Sequence, residues 1–247
     1  SASSLFIMMT STRGDERSMP TEVRPVLVSS GHLQDAAGSA SAQVGRTVAY
    51  CSVRGPFQHY AIGSQDGKVV SLSCAVHRAS FAKRRLDRDH ADDDAALALS
   101  LRGGLQACVA HPNMPPHTRY DVTLQIISSD GADATACCAA AAQALMAAGI
   151  ELLDIPGAAT VAWVLPAEEQ LGDDGASAAA VLVADPSASE LDRAVGTATC
   201  GMASATGRML WFTADGCVLS VAQMDAAMKL LGSCVSTTTR TSSSSSP

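Results

Sequence analysis

Short apolar runs broken by glycine fill the first third of this chain, and a four-residue apolar spacing replaces them near residue 92. Val26–Ser29, Ser39–Val44 and Thr47–Val53 read as strands, because β-rich runs parted by glycine are hairpin signals. The second and third hinge at Gly45-Arg46, and Gly55-Pro56 ends the third. Pro56–Gly67 reads as a loop and Lys68–Val76 as a fourth strand. Over Asp92–Val109, Leu97, Leu101, Leu105 and Val109 make one helical stripe. Asp92, Asp93 and Asp94 fall at its start, where carboxylates complement the helix dipole, and Gly103-Gly104 interrupts it in a way that suits close backbone packing.

Tyr120–Ser128 alternates Val122, Leu124 and Ile126 and reads as a strand. Ala134–Ala148 is alanine-dominated and so strongly helical, with Asp133 suited to the N-cap and Gly149 to the stop. Val161–Leu165 and Ala179–Ala184 read as strands around the acidic loop Glu168–Gly175. Thr197–Ser204 and Met209–Thr213 pair across Thr206-Gly207, and Val221–Leu231 is a last helix. Strands in blocks with helices inserted predict an α+β fold of layered βαβ units, mixed sheets with helices packed on them. Residues 1–22 read as a disordered N-terminal tail, 23–235 as one domain, and the Ser/Thr-rich 236–247 as a disordered C-terminal tail.

Composition narrows the function. Hydrophobic residues make up 47% and charged residues 17%, ordinary for a globular protein. The net charge of −7 argues against autonomous nucleic-acid binding, which rests on phosphate neutralisation by Lys and Arg. The eight cysteines form no CxxC pair and sit mostly in apolar runs, which predicts reduced, buried thiols and no metal site. The six histidines show no metal spacing. Thr135–Ile150 is too short for a membrane span, and Ser1–Met9 lacks the basic flank of a signal peptide. The expectation is a soluble intracellular protein with no membrane contact.

Several segments then resemble one family in order and spacing. Arg24-Pro25, Gly38-Ser39-Ala40, Gly45-Arg46-Thr47 and Gly55-Pro56 come first. Phe81 with a basic run precedes the Leu97–Leu105 helix, and Ser129-Asp130-Gly131 leads into Ala139–Ala148 and Ala148-Gly149-Ile150. Ala184-Asp185-Pro186, Gly207-Arg208-Met209 and Asp215-Gly216 follow. Over about residues 24 to 235 the chain resembles the RNase PH family, and within it the non-catalytic ring subunits of the eukaryotic RNA exosome.

The resemblance implies an RNase PH-type fold and a place in a hetero-hexameric ring of RNase PH-like subunits. It further implies RNA-binding cap subunits, a separate catalytic nuclease, RNA threaded through the channel, and residence in nucleus (nucleolus included) and cytoplasm. Phosphorolysis needs an arginine to hold phosphate and an acid pair to manage a metal ion or proton. Active members carry that arginine just after the Asp-Gly turn. The matching position here is Ala134, beside Asp133, whose charge has the wrong sign for a phosphate dianion. Asp192 matches the first acid, and the second falls on Ala198 or a neighbour. The expectation is therefore no catalytic residues and no cofactor. RNA contact falls to Lys83, Arg84, Arg85 and Arg88, in the loop that the family turns toward the channel. An active phosphate-dependent 3′-to-5′ exoribonuclease with shifted residues, and an unrelated α+β interaction module, remain the alternatives.

Overall fold

The structure, a computed structural model, describes residues 13, 17, 19–58, 71–82, 87–110, 117–165, 180–216 and 221–244. Strands β1 (Val26–Ser30), β2 (Gly38–Val44), β3 (Thr47–Gln58), β4 (Ser71–Arg78) and β5 (Thr118–Ser128) form one sheet, in the order β1-β2-β3-β5-β4. All neighbours are antiparallel except β4 and β5. Those two run parallel because α1 (Asp87–Cys108) crosses between them, as parallel strands require. The stripe of Leu97, Leu101 and Leu105 packs α1 on the sheet, with Leu101 and Leu105 fully buried.

α2 (Asp133–Ala147) follows, then the second sheet: β6 (Pro156–Val164), β7 (Val181–Ala184), β8 (Ala194–Ala203) and β9 (Met209–Gly216), ordered β7-β6-β8-β9 and wholly antiparallel. A short helix α3 (Ala188–Leu191) links β7 to β8, and α4 (Val221–Ser244) packs on β6 and β8. α2 lies between the sheets, touching β1, β2 and β3 on one side and β6 on the other. This position explains its composition. A helix covered on both sides has little free face, and alanine lets two backbones approach closely. Ten of its residues are buried, Cys137 and Cys138 among them. Every residue of β6 is buried for the same reason, with α2 over one part of it and α4 over another.

Several expectations change. β3 does not end at Gly55-Pro56 but runs to Gln58, its pairing with β5 slipping between Arg54 and Phe57 to carry the chain past the proline. α1 starts at Asp87, so Asp92–Asp94 lie in its second turn and not at its start. The N-cap of α2 is Ala132, without a side-chain cap bond; Asp133 is the first helical residue and is drawn into an ion pair instead. Gly149 stops α2 as expected, at φ +74°. α4 continues beyond Leu231 to Ser244, through much of the Ser/Thr-rich stretch expected to be disordered, with Leu231, Cys234 and Val235 buried along it.

The expected free N-terminal tail is anchored at two described residues, Arg13 and Arg17. Arg13 donates to both carboxylate oxygens of Glu190, at 2.8 and 3.0 Å, and Arg17 pairs with Asp185 at 3.3 Å. Arg24 binds Asp185 through Nε and Nη2, both at 2.8 Å, and Asp130 at 3.1 Å. Three arginines from the start of the chain thus meet three carboxylates from the turn before α2 and from the β7–α3 corner. Buried carboxylates require cations, and these supply them. At Glu190 burial works against the charge, but the bonds from Arg13 and the Ser187 backbone outweigh it and hold the carboxyl below its ordinary range.

Among the described residues seven cysteines are free thiols; Cys74 is half-buried and the rest are buried, which raises every shifted thiol above its ordinary range. No helix among them is long and apolar enough to cross a membrane.

Candidate functional site

The segment Ser129-Asp130-Gly131 sets the N-terminus of α2 at the mouth of a cleft between α1 and the second sheet. Asp130 is fixed on three sides: its N–H donates to Thr47 Oγ1 at 2.9 Å, Oδ2 accepts from Arg24, and Oδ1 accepts from the Ala188 N–H at 3.1 Å. Gly131 takes φ +92° against the Pro186 carbonyl, where a Cβ would collide. The cleft encloses about 430 Å³ and is lined by Arg78, Asp93, Ser100, Asp133, Ala134, Trp211, Asp215 and four threonines, among others.

Arg78 governs its electrostatics. The last residue of β4, it donates from Nη1 to Asp133 Oδ2 at 2.6 Å and to Ser129 Oγ at 3.2 Å, and from Nη2 and Nε to Asp94 Oδ1 at 3.0 and 3.2 Å. Burial opposes its charge, yet Asp133 and then Asp94 more than compensate, so its pKa lies above the ordinary arginine value. Three of its five N–H groups are held by carboxylates and a fourth by Ser129, leaving it no paired fork to offer a phosphate. Among the described lining residues one cation, Arg78, faces three carboxylates, Asp93, Asp133 and Asp215, an excess of two negative charges.

The floor comes from the second sheet. Thr160 on β6, Thr199 on β8 and Thr213 on β9 stand in register, and Thr160 Oγ1 lies 3.1 Å from Thr199 Oγ1. Thr197, opposite Asp215, completes the surface. Hydroxyls of this kind can hydrogen-bond but carry no charge for a metal ion. Strand alternation turns Ala198 the other way, into the core beneath α4, 1% exposed. The expected gap, at Ala198 or a neighbour, therefore narrows to the neighbours: an acid at Ala198 would be buried, and the positions of β8 that face the cleft are Thr197 and Thr199, neither of them an acid. Asp192 is exposed just beyond α3 and does not line the cleft. Ala134 lies where expected, at the first turn of α2 in the cleft wall, offering a methyl group.

The cleft is closed at one end by Trp211 of β9. Its ring lies against Gly104 of α1 and Gly201 of β8, and a Cβ on either glycine would overlap it. Gly103-Gly104 does not interrupt α1, which runs unbroken to Cys108; Gly104 alone serves a close approach, that of the Trp211 ring, while Gly103 faces open space.

Lys83, Arg84 and Arg85 lie outside the described residues; Arg88 belongs to the first turn of α1, with its side chain likewise outside them. Arg78 and the Arg13–Arg17–Arg24 anchor escaped sequence reasoning. The one available signal was an arginine closing the otherwise apolar run before the Phe81 loop. Among the described residues no three His, Cys, Asp or Glu side chains are placed to share a metal ion.

The 3′ exoribonuclease family, domain 1 (RNase PH), matches residues 22–151, from the Arg24 anchor through α2. The chain belongs to this family. Human exosome complex component MTR3 is 28% identical over 221 residues, 80% of this chain and 79% of that protein. The mouse MTR3 component is 31% identical over 151 residues, and the Arabidopsis thaliana RRP41 homolog 32% over 139. The chain covers 54% and 56% of those two proteins, about half their length. Among solved structures, the Archaeoglobus fulgidus exosome with RNA bound to the active site superposes with a TM-score of 0.75 at 18% identity, covering 96% of this chain and 94% of that one. Rice Rrp46 superposes at 0.69 with 20% identity, covering 93% and 96%. The α+β architecture, two sheets around the alanine helix α2, is the RNase PH fold.

Proposed function

We propose that this chain is a non-catalytic RNase PH-type subunit of an exosome ring. In that role it joins other RNase PH-like subunits in a hetero-hexamer, beneath RNA-binding cap subunits. It supports 3′-to-5′ RNA processing and degradation by a separate nuclease, in nucleus, nucleolus and cytoplasm. Its relatives in human, mouse and Arabidopsis are exosome components, which supports the ring. Lys83, Arg84, Arg85 and Arg88 supply its contact with RNA in the channel.

One observation carries the silence: the sole described cation of the cleft, Arg78, is held by Asp94 and Asp133, while Ala134 stands where a phosphate-holding arginine is needed. A phosphate dianion entering meets an excess of negative charge in a partly desolvated space, where like charges repel strongly. The test is phosphorolysis by the assembled ring. Incubated with RNA and inorganic phosphate, it releases no nucleoside diphosphate attributable to this chain. Release that disappears on Asp192→Ala or Asp215→Ala would overturn the reading.

A further inference from the structure

The cleft that rejects phosphate has a length as well as a charge. Trp211, Thr213 and Asp215 alternate along β9 and so share one face, opposite Gly201, Thr199 and Thr197 of β8. Three rungs result: the indole over Gly201, a pair of threonines with Thr160 of β6 beside them, and a carboxylate next to Thr197. At the usual rise of an extended strand they span about 13 Å. The site is therefore elongated, with a ring at one end, a carboxylate at the other and hydroxyls between.

The helices add charge and apolar surface. Asp133 enters from α2, and Ala134, Leu97 and Leu191 line the same space. Oδ1 of Asp133 is sealed from solvent and accepts no hydrogen bond from the described residues. Its partner oxygen shares a single guanidinium, that of Arg78, with Asp94. Asp215 is exposed, accepts the Gly216 N–H at 2.8 Å, and forms no ion pair among the described residues. The lining thus keeps its excess of two negative charges.

These features select an extended organic cation. An ammonium gives its N–H groups to carboxylates and to threonine hydroxyls, each of which accepts. Two such groups on one chain match the charge excess, and methylenes between them suit Ala134, Leu97 and Leu191. A metal ion fits less well, since no three described His, Cys, Asp or Glu side chains are placed to share one. We propose that the cleft binds a linear aliphatic polyamine, with one ammonium at Asp215, another at Asp133, and its methylenes on the apolar lining. The proposal goes beyond the silent reading of the cleft and is tested without the ring.

The experiment is calorimetric titration of the full chain with spermidine, with butylamine and Mg²⁺ as comparisons. Spermidine binds at one site per chain, about tenfold or more tighter than butylamine, which meets only one carboxylate. Asp215→Asn keeps an oxygen for the Gly216 N–H and weakens spermidine about tenfold. Asp225→Asn, on α4 and paired with Lys229, leaves the affinity unchanged. The absence of saturable binding overturns the proposal. Equal losses in the two variants overturn it in favour of general attraction to a chain of net charge −7. Displacement of spermidine by Mg²⁺, with the same dependence on Asp215, overturns it in favour of a metal site. A chain that binds spermidine as described but joins no ring counts against the ring reading alone.

Discussion

Nη1 of Arg78 lies 2.6 Å from Oδ2 of Asp133, so the N-terminus of the central helix meets the cleft with its charge already spent on a carboxylate. Asp94 holds the same guanidinium from α1, and the three residues tie β4, α1 and α2 together.

Removing that cation leaves two poorly solvated carboxylates without a counter-charge, Asp133 keeping only the bond from Ser129 Oγ at 2.9 Å. Arg78→Met is expected to lower the unfolding free energy by about 3 kcal/mol, the typical cost of breaking a buried pair from one side. Adding Asp133→Asn should recover part of the loss. Urea denaturation of the three proteins measures both, and equal stability of Arg78→Met and wild type would refute the role given to Arg78.

Trp211 permits no side chain beneath it. Gly201→Ala drives a methyl group into the indole, and overpacking of this kind costs about 2 kcal/mol. Displacement toward water shifts the Trp211 emission to the red. The spectrum and the thermal midpoint should change together, and a variant with unaltered emission would contradict the packing described.

Glu190 makes the fold acid-sensitive in a defined direction. Its carboxyl is held below its ordinary value of 4.5 in the folded chain. A depressed folded value contributes stability that is fully present above 4.5 and is lost as pH falls through the lowered value. Glu190→Gln should therefore be less stable than wild type near neutrality, and the two stability curves should converge below that range. Chemical denaturation from neutral to strongly acid pH draws both curves; parallel curves would exclude Glu190 as the source.

The basic run is testable through salt. Replacing Lys83, Arg84 and Arg85 by Glu should weaken RNA binding by the assembled ring and flatten its dependence on salt by about two to three units of logarithmic slope, one for each lost phosphate contact. Fluorescence anisotropy at several salt concentrations reads both quantities. Unchanged affinity at low salt would remove RNA contact from this run.

Much of the architecture was visible in the hydrophobic pattern. Alternation in Tyr120–Ser128 and the alanine run after Asp133 located β5 and α2 within a residue or two, because both are decided by local periodicity. β3 ran past its expected end because pairing with β5 outlasts the local break at Gly55-Pro56. The cleft was legible in part. Ala134 lies in the cleft wall at the position along the helix that the Asp-Gly turn sets, whereas the second position stayed between Ala198 and its neighbours because a residue count does not say which face of a strand meets the cleft. Arg24 and Asp185 stood out only as separate motif residues and Arg78 only as a charge at a strand end; their pairings could not be read, since the partners lie far away in sequence.

That anchor also imposes an order on synthesis. Arg24 emerges from the ribosome 161 residues before Asp185, and Arg13 precedes Glu190 by 177. At the usual pace of translation the arginines wait roughly 8 to 35 s for the carboxylates that will bury them. Until then the nascent chain carries these cations without their carboxylates, so the seam they form closes only once the β7–α3 corner has been made.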